Sequence, residues 1–489
     1  MTETPLLGID IDQGADRSLF EQVYLAVRGR ILSGGIPAGT RLPASRKLAE
    51  ELGVSRTTIV AAYDQLIAEG FASSKPGSGV FVSDVQSVEP AQRDRAPRLE
   101  PAQIETASPV PAVRPFQPGQ LDVRLFPFRQ WARAVARAAR SDPQSLVISA
   151  DPFGDRLLRQ EICRYLGDWR SVKAVPEQIL VTAGSGEALE ICFLMMTTPG
   201  DRIALEDPGY PQIRDFIGRI GLQILWLERD EYGALPPSEG QRPKLVFLTP
   251  SSQFPLGGAM PQARRSAFLT WSQRSGGLLL EDDYDSEFRY SGRPVPALAA
   301  SDETSRTLYV GSFSKIFSKG LRLGFMVVPV TMIDAVRAFL GAYDRKVSAA
   351  PQRALGLFMA EGDFYRHIRR VRRHYGERRA ALIDRVQSSL GGLVGFDDHS
   401  AGMHIVLRLP DDLSDVAISE AAARQGLTCP PLSGYCGSEH RLNGLLLGFC
   451  SFTIDEINAA MPKLSAAIDA VVRQRGQAAA PSARTRTGK

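Results

Sequence analysis

One lysine stands among residues that suit covalent chemistry with a carbonyl ligand. Lys315 ends the stretch Ser312–Lys315, directly after a predicted strand, and Arg322 follows seven residues later. A lysine that supplies a free amine must be partly desolvated, and a ligand with a phosphate needs hydroxyls and an arginine close by. Ser312, Ser314 and Arg322 offer these groups. Because a single lysine after a strand is usually a surface residue, the assignment depends on the segments around it.

A run of acidic side chains precedes this lysine. Glu281-Asp282-Asp283-Tyr284 comes directly after the apolar stretch Leu278–Leu280. Ligands of open α/β sheets bind at the carboxyl ends of the strands. A buried carboxylate at such a position can keep an aromatic ring nitrogen protonated, which makes the ring an electron sink. We therefore expect this acidic run to face the same ligand as Lys315.

Two more segments could complete the site. Thr182–Glu187 runs from a predicted strand into a predicted helix through a glycine turn, and the start of a helix offers backbone amides and a favourable dipole to a phosphate. Tyr210 follows another predicted strand and could stack on a heterocycle. A glycine turn alone is a common feature, but the segments together predict one site for a phosphorylated aromatic ligand.

Near the N-terminus, a second set of side chains suits contact with nucleic acid. Ser55-Arg56-Thr57-Thr58 would open a helix, where hydroxyls can donate to phosphate oxygens and the arginine can present two donors to guanine or phosphate. Arg46 and Lys47 lie one predicted helix earlier. Residues 17–83 contain eight basic and five acidic residues. A small helical bundle with a polar surface would show the same periodicity, so spacing alone leaves both interpretations open.

The elements that would position the N-terminal side chains follow from apolar spacing. Residues 19–71 show helical periodicity interrupted by glycines and by Gly53–Ser55, which predicts three short helices with Ser55 as the N-cap of the third. Phe71–Val82 carries Lys75-Pro76-Gly77-Ser78-Gly79 between short apolar pieces, which predicts a hairpin. The order is that of a helix-turn-helix followed by a wing.

Further along, short apolar segments alternate with helical ones such as Glu187–Met196 and Gln262–Ser275. The predicted strands are Ile179–Thr182, Arg202–Leu205, Leu245–Leu248, Leu278–Glu281, Leu308–Val310 and Gly324–Val328. Such alternation is typical of a mostly parallel sheet covered by helices. We therefore predict an α/β domain here.

Composition divides the 489 residues into four segments. Residues 1–83 form the predicted DNA-binding domain. Residues 84–114 are rich in proline and lack aromatic residues, which predicts an extended linker. Residues 115–472 form the α/β domain, and residues 473–489 are predicted to be a disordered basic tail.

Several classes of protein are disfavoured by composition. The apolar runs are too short to cross a bilayer and the N-terminus lacks a signal-peptide pattern, so we expect a cytosolic protein without membrane contact. The five cysteines form no CxxC pair and their number is odd, so we expect no disulfide framework and no metal site. The formal net charge of +4 neither proves nor opposes nucleic-acid binding.

The N-terminal segments closely resemble the GntR-type winged helix. The resemblance covers nearly all of residues 19–82 and rests on Leu42–Ala49, Leu52–Thr58, Ala62-Tyr63, Leu66, Glu69-Gly70 and Gly77–Val82. It implies that the wing tip and the start of the recognition helix contact double-stranded operator DNA. The residues implied in that contact are Arg46, Ser55, Arg56, Thr57, Thr58 and Gly77.

From about residue 115 to residue 472, the chain resembles a fold-type-I aminotransferase that depends on pyridoxal 5′-phosphate. The fusion resembles the MocR/GabR regulators, on the motifs Glu281–Tyr290 and Ser312–Lys315 with Gly320–Gly324. The resemblance implies a multidomain chain. An N-terminal α+β winged helix would precede an α/β domain with a mostly parallel sheet and a smaller C-terminal α+β subdomain.

The same resemblance implies roles for individual residues. Lys315 would bind the cofactor as an internal aldimine, and Asp282 would pair with the ring nitrogen. Tyr284 would approach the phenolic oxygen and Tyr210 would stack on the ring. The residues that would surround the phosphate are Ser185, Gly186, Ser312, Ser314 and Arg322.

The chain departs from the family pattern in three places. Family members commonly have histidine before the glutamine of a Gln-aromatic-Pro segment, where this chain has Ser252, and the tyrosine usual before Asp151 is absent. Where aminotransferases place an arginine that grips the substrate carboxylate, the chain reads Leu445–Phe449. Arg441 is a candidate replacement that we do not adopt.

The hypothesis that accounts for both halves is a homodimeric, DNA-binding transcription regulator. It would sense an amino compound, or pyridoxal phosphate itself, through Lys315 and control genes of amino-compound or vitamin B6 metabolism. The alternatives are a working aminotransferase with an accessory DNA-binding domain and a scaffold with a relict site. The missing arginine disfavours efficient transamination, and the intact Asp282, Lys315 and Arg322 disfavour a relict.

Overall fold

The computed structural model describes residues 8–12, 14, 17–84, 113–146, 151–343, 347–438 and 441–479. The chain divides into two units, Met1–Pro109 and Val110–Lys489, which we call the head and the effector unit. The division falls inside the segment predicted to be a linker, most of which lies outside the described residues.

The head consists of three helices and a hairpin. Its elements are α1 (Leu19–Leu32), α2 (Ser45–Leu52), α3 (Arg56–Ala68), β1 (Ala72–Lys75) and β2 (Gly79–Val82). The predicted N-cap is present, since Ser55 Oγ accepts from the Thr58 amide at 3.1 Å, and Gly53 ends α2 with a φ of 64°. The buried faces of the helices meet in one apolar core. The predicted winged helix-turn-helix is therefore confirmed.

The effector unit contains a central sheet with helices around it. Its strands are β3 (Ile179–Thr182), β4 (Arg202–Leu205), β5 (Gln223–Trp226), β6 (Arg229–Asp230), β7 (Gly233–Ala234), β8 (Leu245–Leu248), β9 (Leu278–Asp283), β10 (Thr307–Ser312), β11 (Gly324–Val327), β12 (Gly395–Phe396), β13 (His404–Arg408) and β14 (Gly444–Gly448). Its helices are α4 (Phe128–Ser141), α5 (Arg156–Arg170), α6 (Ser185–Met196), α7 (Pro211–Arg219), α8 (Gln262–Ser275), α9 (Phe313–Ile316), α10 (Ile333–Tyr343), α11 (Ala349–Ala360), α12 (Asp363–Leu390), α13 (Asp415–Arg424) and α14 (Ile454–Ala479).

The central sheet has seven strands in the order β3-β11-β10-β9-β8-β4-β5. All neighbouring pairs are parallel except the two that involve β11, which runs antiparallel to β3 and to β10. Successive residues of β10 pack on opposite faces of the strand. Tyr309 belongs to one apolar cluster, and Leu308 and Val310 belong to another. Burial on both faces explains why these strands read as continuous apolar runs. The predicted mostly parallel sheet is confirmed.

A smaller C-terminal subdomain follows the central sheet. Strands β12, β13 and β14 form an antiparallel sheet that packs with the long helices α12 and α14. Helix α14 continues to Ala479, and Arg475 within this helix forms an ion pair with Asp412. The prediction of disorder from residue 473 is therefore wrong for residues 473–479. Residues 480–489 lie outside the described part. None of the helices that the structure describes is long and apolar enough to span a membrane.

Candidate functional site

Four strand ends meet at one edge of the central sheet and carry the predicted site. In the observed register Ser312 of β10 lies opposite Gly324 of β11, and Gly324 lies opposite Thr182 of β3. On the other side of β10, Val310 lies opposite Asp282 of β9. Because β11 is antiparallel, its amino end joins the carboxyl ends of its neighbours. The sheet therefore brings the predicted glycine turn, acidic run and Ser312–Lys315 together.

The glycine turn before α6 lies directly against the start of β11. A Cβ on Gly324 would lie 2.6 Å from the carbonyl carbon of Gly184 and 2.7 Å from the Ser185 amide nitrogen, so only glycine fits there. Gly184 has a φ of 91°, and a Cβ at that position would lie 3.8 Å from Ser314 Oγ. The structure thus places Ser314 beside the glycine turn that leads into Ser185 at a helix N-terminus, and their contact with a phosphate stays a prediction.

Lys315 lies in the short helix α9, directly after β10. Burial lowers the pKa of its ammonium, while the nearby carboxylates of Asp285 and Asp282 oppose this shift. A Cβ on Gly119 would lie 2.8 Å from Lys315 Nζ. The side chain is therefore enclosed, and its lowered pKa favours the free amine that covalent chemistry with an aldehyde requires.

Asp282 provides a buried acceptor without a partner. Its Oδ1 atom makes no hydrogen bond to any described residue. Burial, with a contribution from Asp283, raises the pKa of Asp282 to about 7, although Lys315 and a hydrogen bond from Tyr210 lower it. A buried acceptor of this kind costs free energy unless a donor reaches it. It suits a protonated ring nitrogen.

A buried ion pair holds the end of the acidic run Glu281–Asp283. This ion pair was not predicted from the sequence. Arg170 Nε lies 2.6 Å from Asp283 Oδ2, and the Tyr309 hydroxyl donates to the same oxygen at 2.5 Å. Glu281 accepts from the backbone amides of Leu298 and Ala299. No local pattern marks Arg170, since its partner lies more than a hundred residues away along the chain. These contacts fix the strand end that presents Asp282.

Aromatic rings form the neighbouring wall of the site. Tyr210 stacks on Phe254 with ring centroids 3.9 Å apart and planes 7° apart, and Tyr284 meets both rings edge-on. The Tyr284 hydroxyl lies 3.3 Å from Ser252 Oγ. One face of Tyr210 is thus covered by Phe254, and its stacking on a cofactor stays a prediction.

The C-terminal subdomain adds a histidine that sequence reasoning missed. His404 Nε2 donates to the Pro255 carbonyl at 2.8 Å, and burial lowers the pKa of the ring, with a smaller effect from Lys315. Leu445, Leu446 and Leu447, in the region where aminotransferases hold a carboxylate-binding arginine, are fully buried in β14. Arg441 is exposed. Among the described residues, no cluster of acidic, histidine or cysteine side chains could hold a metal ion.

The predicted DNA contacts lie on α2, on the exposed start of α3 and on the wing. Ser55 Oγ lies 2.6 Å from Thr57 Oγ1 and 2.8 Å from Thr58 Oγ1, so the hydroxyls cluster at the helix start. Arg46 and Arg56 are exposed, and Arg56 Nε donates to Ser45 Oγ at 3.5 Å. Gly77 has a φ of 73° in the turn between β1 and β2. The geometry leaves both arginines free to reach a phosphate or a base edge.

Comparisons with known proteins agree with both halves of this description. The model of bacterial regulatory proteins of the gntR family matches residues 19–82, and that of aminotransferase class I and II matches residues 119–441. The probable rhizopine catabolism regulatory protein MocR of Rhizobium meliloti is 35% identical over 90% of this chain and 91% of its own length. The pyridoxine biosynthesis transcriptional regulator PdxR of Corynebacterium glutamicum is 33% identical over 94% of this chain and 98% of its own length.

The chain belongs to the MocR-type regulators, which join a GntR winged helix to an aminotransferase-like domain.

Solved aminotransferases share the fold of the effector unit. An α-aminoadipate aminotransferase of Thermus thermophilus, complexed with N-(5′-phosphopyridoxyl)-L-leucine, is 26% identical with a TM-score of 0.66 and covers 74% of this chain and 93% of its own. A kynurenine aminotransferase of Pyrococcus horikoshii, 24% identical with a TM-score of 0.68, covers 73% and 91%. The cofactor of this MocR-type regulator is therefore pyridoxal phosphate. The unpartnered Asp282 oxygen, the enclosed Lys315 and the helix start at Ser185 all fit that cofactor.

Proposed function

We propose that this MocR-type regulator senses an amino compound, or pyridoxal phosphate itself, at Lys315 and thereby changes how its head binds operator DNA. The observation that carries the proposal is the half-buried Lys315 amine, which lies near two buried carboxylates in a chain that also carries a DNA-binding domain. The names of the relatives point to control of genes of amino-compound or vitamin B6 metabolism. Such a regulator would act in the cytosol, where it meets DNA.

Different residues of this chain would bind different parts of the cofactor. Bound pyridoxal phosphate supplies an aldehyde carbon that primary amines attack reversibly. Lys315 would attach to that carbon, Asp282 would accept from the ring nitrogen, and Tyr284 would donate to the phenolic oxygen. Tyr210 would cover the ring. The groups assigned to the phosphate are Ser185, Gly186, Ser312, Ser314 and Arg322.

The effect on DNA follows from differential binding. An amine that replaces Lys315 on the cofactor leaves the lysine side chain free, so the two states differ in contacts around Nζ. A ligand shifts a conformational equilibrium only by its different interaction with the two states. The proposed output is a change in the DNA footprint of the head when the amine binds.

A working aminotransferase with an accessory head is the alternative function. The buried leucines of β14 argue against it, because they leave no cation there to orient a substrate carboxylate. Incubation of the holoprotein with amines should change the DNase footprint on operator DNA without stoichiometric formation of a carbonyl product. Repeated turnover with no change in footprint would favour the enzyme instead.

Substitutions of Arg46 and Arg56 in the head should affect operator binding differently. Arg56→Ala is expected to weaken binding to the specific operator by ~1–3 kcal/mol if it reads a base, while Arg46→Ala should weaken binding more evenly across sequences and lower its salt dependence. Gel-shift titrations at several salt concentrations, with operator and scrambled DNA, measure both effects. If both variants bound operator like the parent protein, the proposed contacts would be wrong.

We also propose that the protein is a homodimer that reads paired half-sites. Apolar side chains stand on the surface of the effector unit near the start of α4, where Val123 is 71% and Phe128 is 64% exposed. Light scattering at micromolar concentration should give the dimer mass, and Phe128→Asp should shift the equilibrium toward monomer. Val330→Asp, which changes another exposed valine, is the control. A monomeric parent protein contradicts the proposal.

A further inference from the structure

One buried carboxylate near Lys315 has no role in the site described so far. Asp285 follows Tyr284 and is 2% exposed, yet neither of its oxygens has a hydrogen-bond partner among the described residues. Burial raises the pKa of Asp285 to about 8, with a contribution from Asp283, while Lys315 and the Ser252 hydroxyl lower it. Two unpartnered buried oxygens in one carboxylate indicate that a donor or a cation belongs there.

Each of the other carboxylates of the same segment has at least one partner, although Oδ1 of Asp282 and Oδ1 of Asp283 have none among the described residues. Asp283 pairs with Arg170 and Tyr309, Glu281 accepts two backbone amides, and Glu287 accepts from the Tyr165 hydroxyl. Asp282 receives Tyr210 and retains one acceptor for the ring nitrogen. Asp285 is therefore the carboxylate of this segment for which neither oxygen has a partner among the described residues.

Asp285 and Lys315 follow the neighbouring ends of two parallel strands, β9 and β10, where Asp283 lies opposite Gly311. Their charges interact, because Lys315 lowers the pKa of Asp285 and Asp285 opposes the effect of burial on the pKa of Lys315. The other groups that act on the pKa of Asp285 are Asp283 and Asp282, which are acidic, and Ser252, which is uncharged. Lys315 is therefore the cation that acts on Asp285 among these groups.

We propose that Asp285 is a binding site for a cationic nitrogen, and that it holds Lys315 Nζ as an ammonium when an amine effector has displaced the lysine from the cofactor. The inference rests on the proposed function, because it names the residue that stabilises the displaced lysine. Asp285 acts through Lys315 and is thus a positioning residue.

The charge balance of the exchange calls for such a residue. An alkylamine enters as its ammonium at neutral pH. The C=N bond from Lys315 Nζ to the cofactor's aldehyde carbon breaks, and a C=N bond from the effector nitrogen to that carbon forms. Each C=N nitrogen carries one proton, so two of the three ammonium protons move to Nζ, which leaves as an ammonium, and nothing is oxidised or reduced. The site gains one positive charge, which a buried site accommodates only beside an anion.

The test compares exchange in the full-length holoprotein and in Asp285→Asn. Each protein is titrated with n-propylamine and then reduced with borohydride, and mass spectrometry measures the fraction of cofactor left on Lys315. Loss of the carboxylate should raise the half-exchange concentration about tenfold or more, since it removes a buried opposite charge. Asp285→Glu should restore exchange toward the parent value. Glu287→Gln, which changes a buried acid of the same turn, should exchange like the parent.

A second variant keeps the test decisive if Asp285→Asn does not fold. Ser252→His would place an imidazole beside Asp285 and should also raise the half-exchange concentration. Equal half-exchange concentrations in the parent and in whichever of these variants fold would overturn the role of Asp285. A parent protein whose cofactor is never trapped on Lys315 would instead overturn the proposed function, so the two failures are distinguishable.

Discussion

Lys315→Ala is expected to abolish the response of the regulator to its effector while the head still binds DNA. The variant loses the only amine that the proposed mechanism attaches to the cofactor, so no lysine-bound state remains for an effector to replace. Regulation should then be fixed in one state. DNase footprints of parent and variant, with and without γ-aminobutyrate, taurine or related amines, measure the response.

The control for this variant is Lys319→Ala, which removes a neighbouring lysine. Lys319 donates to the Gln120 side chain at 3.0 Å and has no assigned part in attachment. The control should keep borohydride trapping on Lys315 and should still respond. A Lys315→Ala footprint that still changed with the amine would show that sensing does not pass through Lys315.

Gly324→Ala is expected to reduce affinity for pyridoxal phosphate by at least about tenfold and to destabilise the effector unit by ~1–3 kcal/mol. The added Cβ would meet the backbone of Gly184 and Ser185 at less than 3 Å, and backbone atoms cannot swing away as a flexible side chain can. The start of α6 would have to move, and with it the proposed phosphate contact. Fluorescence titration of the cofactor and thermal unfolding measure the two effects.

Gly320→Ala is the matched control in the same loop. A Cβ at Gly320 would lie 3.8 Å from Ser318 Oγ, an ordinary contact, so affinity and stability should stay near those of the parent. Equal cofactor affinity in the Gly324→Ala and Gly320→Ala variants would mean that the close approach of β11 to the glycine turn does not shape the phosphate site.

The sequence predicted local elements well because their patterns are local. Helix α8 has the predicted bounds, Gln262–Ser275, and Ser55 caps α3 as expected. The direction of β11 was not predicted, because apolar runs carry no information on strand polarity. The Arg170–Asp283 pair was not predicted either, since it joins an amphipathic helix to a distant strand end. The motifs marked the residues of the site, and the register of the sheet determined which of them meet.

The sequence indicates the roles of some site residues but not those of others. Lys315 and Asp282 stand in motifs whose spacing indicates their chemistry. Asp285 stands in the same acidic run, but the lack of a hydrogen-bond partner at both of its oxygens is visible only in the folded chain. His404 had no local motif to mark it and reaches the site from the C-terminal subdomain.

The position of Gly119 against Lys315 bears on what the surroundings of the reactive nitrogen can accommodate. Gly119 comes five residues after the predicted linker ends at residue 114, and the strand β14 binds the same segment through the amide of Gly448 and the carbonyl of Phe116. Phe116 is buried in the effector core, so the backbone that Gly119 places beside Lys315 Nζ already belongs to the effector unit. Because β14 holds that backbone, a larger group on Nζ would have to displace an anchored and closely packed segment of the effector fold.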